Sequence, residues 1–91
     1  MKKRHVFDTK GIYKFDPLKG THRLLIVDDG KAQVRRDGVA LHGIVKVRKG
    51  ESFDVIVPEG GQVEITEYVW PLSVNEWTTA GSYTWKVPRG A

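Results

Sequence analysis

Few of the side chains able to carry chemistry stand where they could act together. His5, His22 and His42 are scattered, without the HxH or HExxH spacing that sets two imidazoles on one metal ion. Asp28 and Asp29 form an adjacent carboxylate pair that could in principle do acid–base work. Beside Gly30, however, they read as turn formers that hydrogen-bond nearby backbone. The chain has no cysteine, which removes disulfides, thiolate metal ligands and a thiol nucleophile. No glycine run leads into a helix start that would cradle phosphate. The expectation is a protein that is not an enzyme, with no catalytic residue, no cofactor and no metal.

Residues suited to binding are easier to find. Lys2, Lys3, Arg4 and His5 make a basic arm with nothing apolar to anchor it. Its plain reading is a frayed, solvated terminus, and its functional reading an arm that orders on a neighbouring subunit or on phosphate. Lys46, Arg48 and Lys49, with Arg35 and Arg36 on a neighbouring strand, would form a basic stripe on a sheet face, or simply a solvated outer surface. Trp70 and Trp77 lie in a stretch without strand period or helix length. They could stack on a sugar, anchor a partner surface or cap the end of a core.

These residues must be positioned by a small framework. Ninety-one residues, 40% of them hydrophobic and 29% charged, make one globular domain with a thin core, too small for a cleft between two domains. The net charge is +4, and without the basic arm the remainder is close to balanced, so attraction to nucleic acid is a weak signal. No apolar run nears the roughly 20 residues that span a bilayer, and the basic start is not followed by a signal-peptide apolar segment. The protein is expected to be made in the cytoplasm and kept there unless it leaves as part of an assembly, with no membrane partner.

The organising stretch is Glu51 to Gly60, an alternating run with Phe53, Val55 and Val57 on one face, closed by a Pro-x-Gly turn. Gly11 to Phe15, His22 to Val27, Lys31 to Arg36, Val39 to Lys49, Gln62 to Val69 and Ser82 to Val87 read as further strands, with Val6 to Asp8 a short lead-in. Gly43 inside the strand Val39 to Lys49 marks a bulge or close backbone approach. Asp29-Gly30 and Asp37-Gly38 predict two tight hairpins and hence a meander. The fold class is all-β, an antiparallel β-sandwich or jelly-roll-like small barrel with little or no helix. Residues 1–10 are the arm and lead-in, and 11–91 the single domain. The expected core is Tyr13, Phe15, Leu24, Ile26, Val39, Leu41, Val45, Val47, Phe53, Val55, Val57, Val63, Ile65, Tyr83, Trp85 and Val87.

Two resemblances bear on function. Gly50 through Pro58-Glu59-Gly60 resembles the second motif of the cupin barrels, but its glycine-to-proline spacing is longer and Val63 stands where a histidine ligand would follow. Gly81-Ser82-Tyr83-Thr84-Trp85-Lys86-Val87-Pro88-Arg89-Gly90 resembles the Gly-x-Tyr-x-aromatic-x-Val-Pro-x-Gly strand of small β-domains in tailed-phage virion proteins, and Ser52 to Gly60 is similar to it. That resemblance covers about a third of the chain. It implies a structural protein of a phage virion, present in many copies and bound to the major capsid protein. A capsid decoration or cement protein fits better than a tail or fibre module, which would continue into glycine-rich sequence. Edge strands make a homo-oligomer such as a trimer a credible form. A carbohydrate-binding module using Trp70 and Trp77 is the alternative, and a basic nucleic-acid-binding barrel a more distant one.

Overall fold

A single long hairpin, rolled up on itself, accounts for every strand pairing. The computed structural model describes residues 1–71, in which the strands are β1 (Lys2–Phe7), β2 (Gly11–Phe15), β3 (Thr21–Asp28), β4 (Gln33–Arg36), β5 (Val39–Leu41), β6 (Gly43–Lys46), β7 (Phe53–Val57) and β8 (Val63–Val69). Strand β1 pairs with β8, β2 with β7, β3 with β6 and β4 with β5, all antiparallel. Rolling adds the contacts β3 with β8 and β4 with β7. The product is two four-stranded sheets, β1-β8-β3-β6 and β2-β7-β4-β5, which is the strand order of a jelly roll. No helix of the described residues is long and apolar enough to cross a membrane.

The hairpin's apex is Asp37-Gly38. Both residues have positive φ, 51° and 79°, and Arg36 faces Val39 across the turn. This is the two-residue geometry whose twist matches the flanking strands, and Asp-Gly is among the pairs that tolerate it best. The expected Asp29-Gly30 hairpin does not form. β3 and β4 lie in different sheets, so the chain crosses the sandwich there instead of doubling back, and the structure is no meander. Asp29 builds that corner by accepting hydrogen bonds from the backbone N–H groups of Lys31 (2.9 Å), Ala32 (3.0 Å) and Gln62 (2.9 Å).

The expected strand from Val39 to Lys49 is also divided. β5 belongs to one sheet and β6 to the other, with the change of sheet at His42-Gly43, where Gly43 has φ 68°. A side chain is disfavoured in that conformation. The lead-in is longer than the sequence suggests: the basic arm is strand β1, with Lys2 to Phe7 in register against Tyr68 to Val63.

Residues paired across strands point to the same side, so register places the core. Phe15, Leu24, Ile26, Val45, Phe53, Val55, Val57, Val63 and Ile65 are buried between the sheets as expected, joined by Ala32 and Val34. Tyr13, Leu41 and Val47 pack partly buried against them. Val39 is 63% exposed, because inward parity produces no burial beside the turn at the tip of an edge hairpin. Tyr83, Trp85 and Val87, with the expected strand Ser82 to Val87, lie outside the described residues. One edge is sealed by rings: Phe7 lies 5.3 Å from Tyr13 and 6.2 Å from Phe15, and His5 lies 4.9 Å from Phe15.

Two outcomes are expected. Gly38→Ala adds a methyl group into open space at φ 79°, so it should lower stability to urea by about 1–2 kcal/mol through backbone strain alone. Asp29 is held below its ordinary pKa, chiefly by the Ala32 and Lys31 N–H groups. Its contribution is therefore full above the usual aspartate range and is lost as pH falls through the folded value. The stability gap between wild type and Asp29→Ala should be present at neutral pH and shrink on acidification. A gap that grows instead would reverse the assignment.

Candidate functional site

The end of the sandwich where β8 finishes is built around one buried polar side chain. Glu67 continues the inward series Val63, Ile65 in β8 and is only 1% exposed. Its Oε2 accepts hydrogen bonds from the Leu18 backbone N–H (2.8 Å) and the Thr21 hydroxyl (2.6 Å), while its Oε1 lies 2.5 Å from His5 Nε2. Burying a carboxyl group is tolerated only when its lone pairs are met, and here they are. One side chain thus ties β1, the β2–β3 corner and the start of β3 to β8. Backbone bonds from Thr21 N–H to Leu18 (3.0 Å) and from Trp70 N–H to Gly20 (2.9 Å) complete the corner.

Above this anchor the β2–β3 corner and the β6–β7 corner diverge to enclose a cleft of about 770 Å³. Leu18, Val47 and Trp70 supply its apolar lining, and Lys19, His22, Arg48 and Lys49 its cationic one. Trp70 is 59% exposed. Glu51 also faces the cleft, but it is engaged by the Arg36 guanidinium (3.3 Å) and the Arg48 backbone N–H (2.5 Å). Among the described residues, the Lys19, Arg48 and Lys49 side chains face no carboxylate partner, and Asp16 is the remaining acid of the lining. His22 is held below the usual histidine pKa, first by burial and then by the charges of Arg23 and Lys46.

The opposite end carries a smaller hollow lined by Asp8, Asp28, Asp29 and Glu64. Its acids are largely occupied. Asp28 meets His42 Nδ1 at 2.7 Å, Asp29 holds its corner, and Glu64 takes both Nε (2.6 Å) and a terminal nitrogen (2.9 Å) of Arg4. Among the described residues no three histidines, aspartates or glutamates gather as metal ligands.

The structure redistributes the residues singled out by sequence. Within the basic arm, Arg4 is bound to Glu64, which raises its pKa, and His5 turns inward to Glu67, leaving Lys2 and Lys3 exposed. The basic stripe does not exist as one surface. Arg35 sits on the outer face of the β2-β7-β4-β5 sheet beside Gln33, and Arg36 points inward, 6.0 Å over the Phe53 ring. Lys46 lies on the outer face of the other sheet, opposite Arg23. The change of sheet at Gly43 separates Lys46 from Arg35, whereas Arg48 and Lys49 reach the cleft. Trp70 joins them there, and Trp77 lies outside the described residues. Sequence reasoning missed Glu67, Leu18, Lys19 and Thr21; the available signal was a glutamate at an inward position of an alternating strand.

Comparison of the chain with protein-family models, with curated proteins and with solved structures found no match. Glu67→Ala would leave the part-buried Leu18 N–H and the buried Thr21 hydroxyl without their acceptor. It should cost about 3–5 kcal/mol in urea unfolding, against about 1–2 kcal/mol for Thr21→Val. Equal, small losses from both would mean that Glu67 does not anchor the corner.

Proposed function

We propose that this chain is a non-catalytic jelly-roll protein that docks in many copies onto a larger assembly, and that the assembly is a phage virion which it serves as a capsid decoration or cement protein. The observation that carries the docking is the exposed Trp70 beside Leu18, set in a cleft rimmed by Lys19, Arg48 and Lys49. Tryptophan and arginine are among the residues enriched at interface hot spots, and Trp70 and Arg48 stand together here. The virion rests on the strand-and-turn resemblance of Ser52 to Gly60 and Gly81 to Gly90 and on a fold class that includes viral capsid domains. Fold alone assigns no function, so the two supports are of different weight.

The mechanism is burial of apolar surface against a repeating lattice, with cations opposite acidic shell residues. Of the basic arm only Lys2 and Lys3 keep their charge available, because Arg4 and His5 are used within the fold. Many weak contacts on a lattice give secure attachment without high affinity per copy. Purified protein should therefore co-sediment with assembled shells and not with unassembled capsid subunits; equal binding to both would count against it.

A second reading is carbohydrate binding, favoured by the same exposed indole beside a cleft within the roughly 300–1,000 Å³ range of small-ligand sites. A glycan array settles it by whether any sugar binds in a way that Trp70→Ala abolishes. The basic stripe on which a nucleic-acid reading would rest is divided between two sheets.

A further inference from the structure

We infer that the cleft between the β2–β3 and β6–β7 corners receives an extended acidic protein segment carrying an apolar side chain, which seats against Leu18, Val47 and Trp70 while its carboxylates meet Lys19, Arg48 and Lys49. The inference deepens the docking reading and rests on it, because it names the chemistry of the partner at that site.

Three observations converge. The first is uncompensated charge: among the described residues, Lys19, Arg48 and Lys49 face a lining in which Glu51 is engaged by Arg36 and only Asp16 remains to oppose them. Like charges gathered at one concave surface raise the local potential and favour an anionic partner. The second is that the apolar part is accessible. Leu18 and Trp70 are both exposed, side by side with half-buried Val47, so an incoming side chain finds a place without displacing a core residue. The third is rigidity. Glu67 clamps Leu18 and Thr21, Trp70 is hydrogen-bonded to Gly20, and on the other wall the Val47 N–H is bonded to the His22 carbonyl and the Arg48 N–H to Glu51, so both walls are held before any partner arrives. A preformed site loses little freedom on binding. The opposite end of the molecule offers no such site, its acids being engaged by Arg4, His42 and backbone N–H groups.

His22 provides an internal reporter. It lines the cleft with its pKa held down by burial, Arg23 and Lys46. Carboxylates arriving among Lys19, Arg48 and Lys49 must push that value up.

The test uses the full chain and a fluorescein-labelled peptide of sequence EELFEE, with EESGEE and KKLFKK as controls. EELFEE should bind about tenfold more tightly than either control, weaken with added salt, and raise the His22 pKa followed by NMR. Lys19→Glu with Lys49→Glu, and separately Trp70→Ala, should each weaken binding roughly fivefold or more. Lys10→Glu with Lys31→Glu, an equal charge change at the far end, should not. Equal binding of EELFEE and KKLFKK, or equal loss from the two charge reversals, would overturn the site. Equal binding of EESGEE would overturn the apolar half of it. Peptide binding without shell binding would sink the virion reading alone, whereas shell binding unaffected by the cleft variants would sink this inference alone.

Discussion

The structure depends on one geometric constraint: between nearly every pair of consecutive strands the chain must leave one sheet and enter the other. Among the described residues only β4 and β5 are consecutive strands of one sheet, and every other connection crosses the sandwich. Packed sheets stand about 10 Å apart, so each crossing is a corner and not a hairpin turn. That is why the turn residues are so densely spaced and so varied. Asp29 stitches three backbone N–H groups at one corner, and Gly43 switches sheets within what reads as a continuous strand. Gly61 bonds back to Pro58 at another corner.

Corners are also the weak places of such a fold, because they carry backbone groups that no ladder satisfies. At the end where β8 finishes the solution is a buried side chain. Glu67 occupies an inward position that a valine or isoleucine could fill, and gives up apolar burial to supply acceptors to the β2–β3 corner. The exchange makes sense only because its other oxygen is met by His5 on the facing edge strand. A single polar group thereby fixes the β1–β8 pairing and the path of the corner together. It also explains why His5 is not available to a partner.

Much of this architecture was legible and some was hidden for definite reasons. Period-two alternation located β2, β7 and β8 and much of the core, because burial on one face leaves that trace directly in the residues, while β3 was legible as a short run apolar on both faces. Asp37-Gly38 was readable because its chemistry fits one turn type. Asp29-Gly30 misled because the same dipeptide also suits a corner, and local sequence does not say which sheet the next strand joins. The basic stripe failed for the same reason, since neighbours in sequence were assigned to neighbouring strands of one sheet. Arg4 and His5 looked like a free arm because their partners, Glu64 and Glu67, lie some sixty residues away.

The cleft follows from the topology as much as from its residues. In a rolled hairpin the β2–β3 and β6–β7 connections cross the same end of the sandwich from opposite halves of the chain, and their diverging walls leave a concavity there. The far end is crossed as well, yet its acids are absorbed by Arg4, His42 and the Asp29 corner. Among the described residues the two ends therefore differ in the sign of their charges and in how many of those charges are already engaged. Among the described residues Lys19, Arg48 and Lys49 have no carboxylate partner beside the exposed indole, so water and counterions screen them until the proposed acidic segment takes their place. The rigid sandwich holds them in place, and the corners present them where a partner can reach.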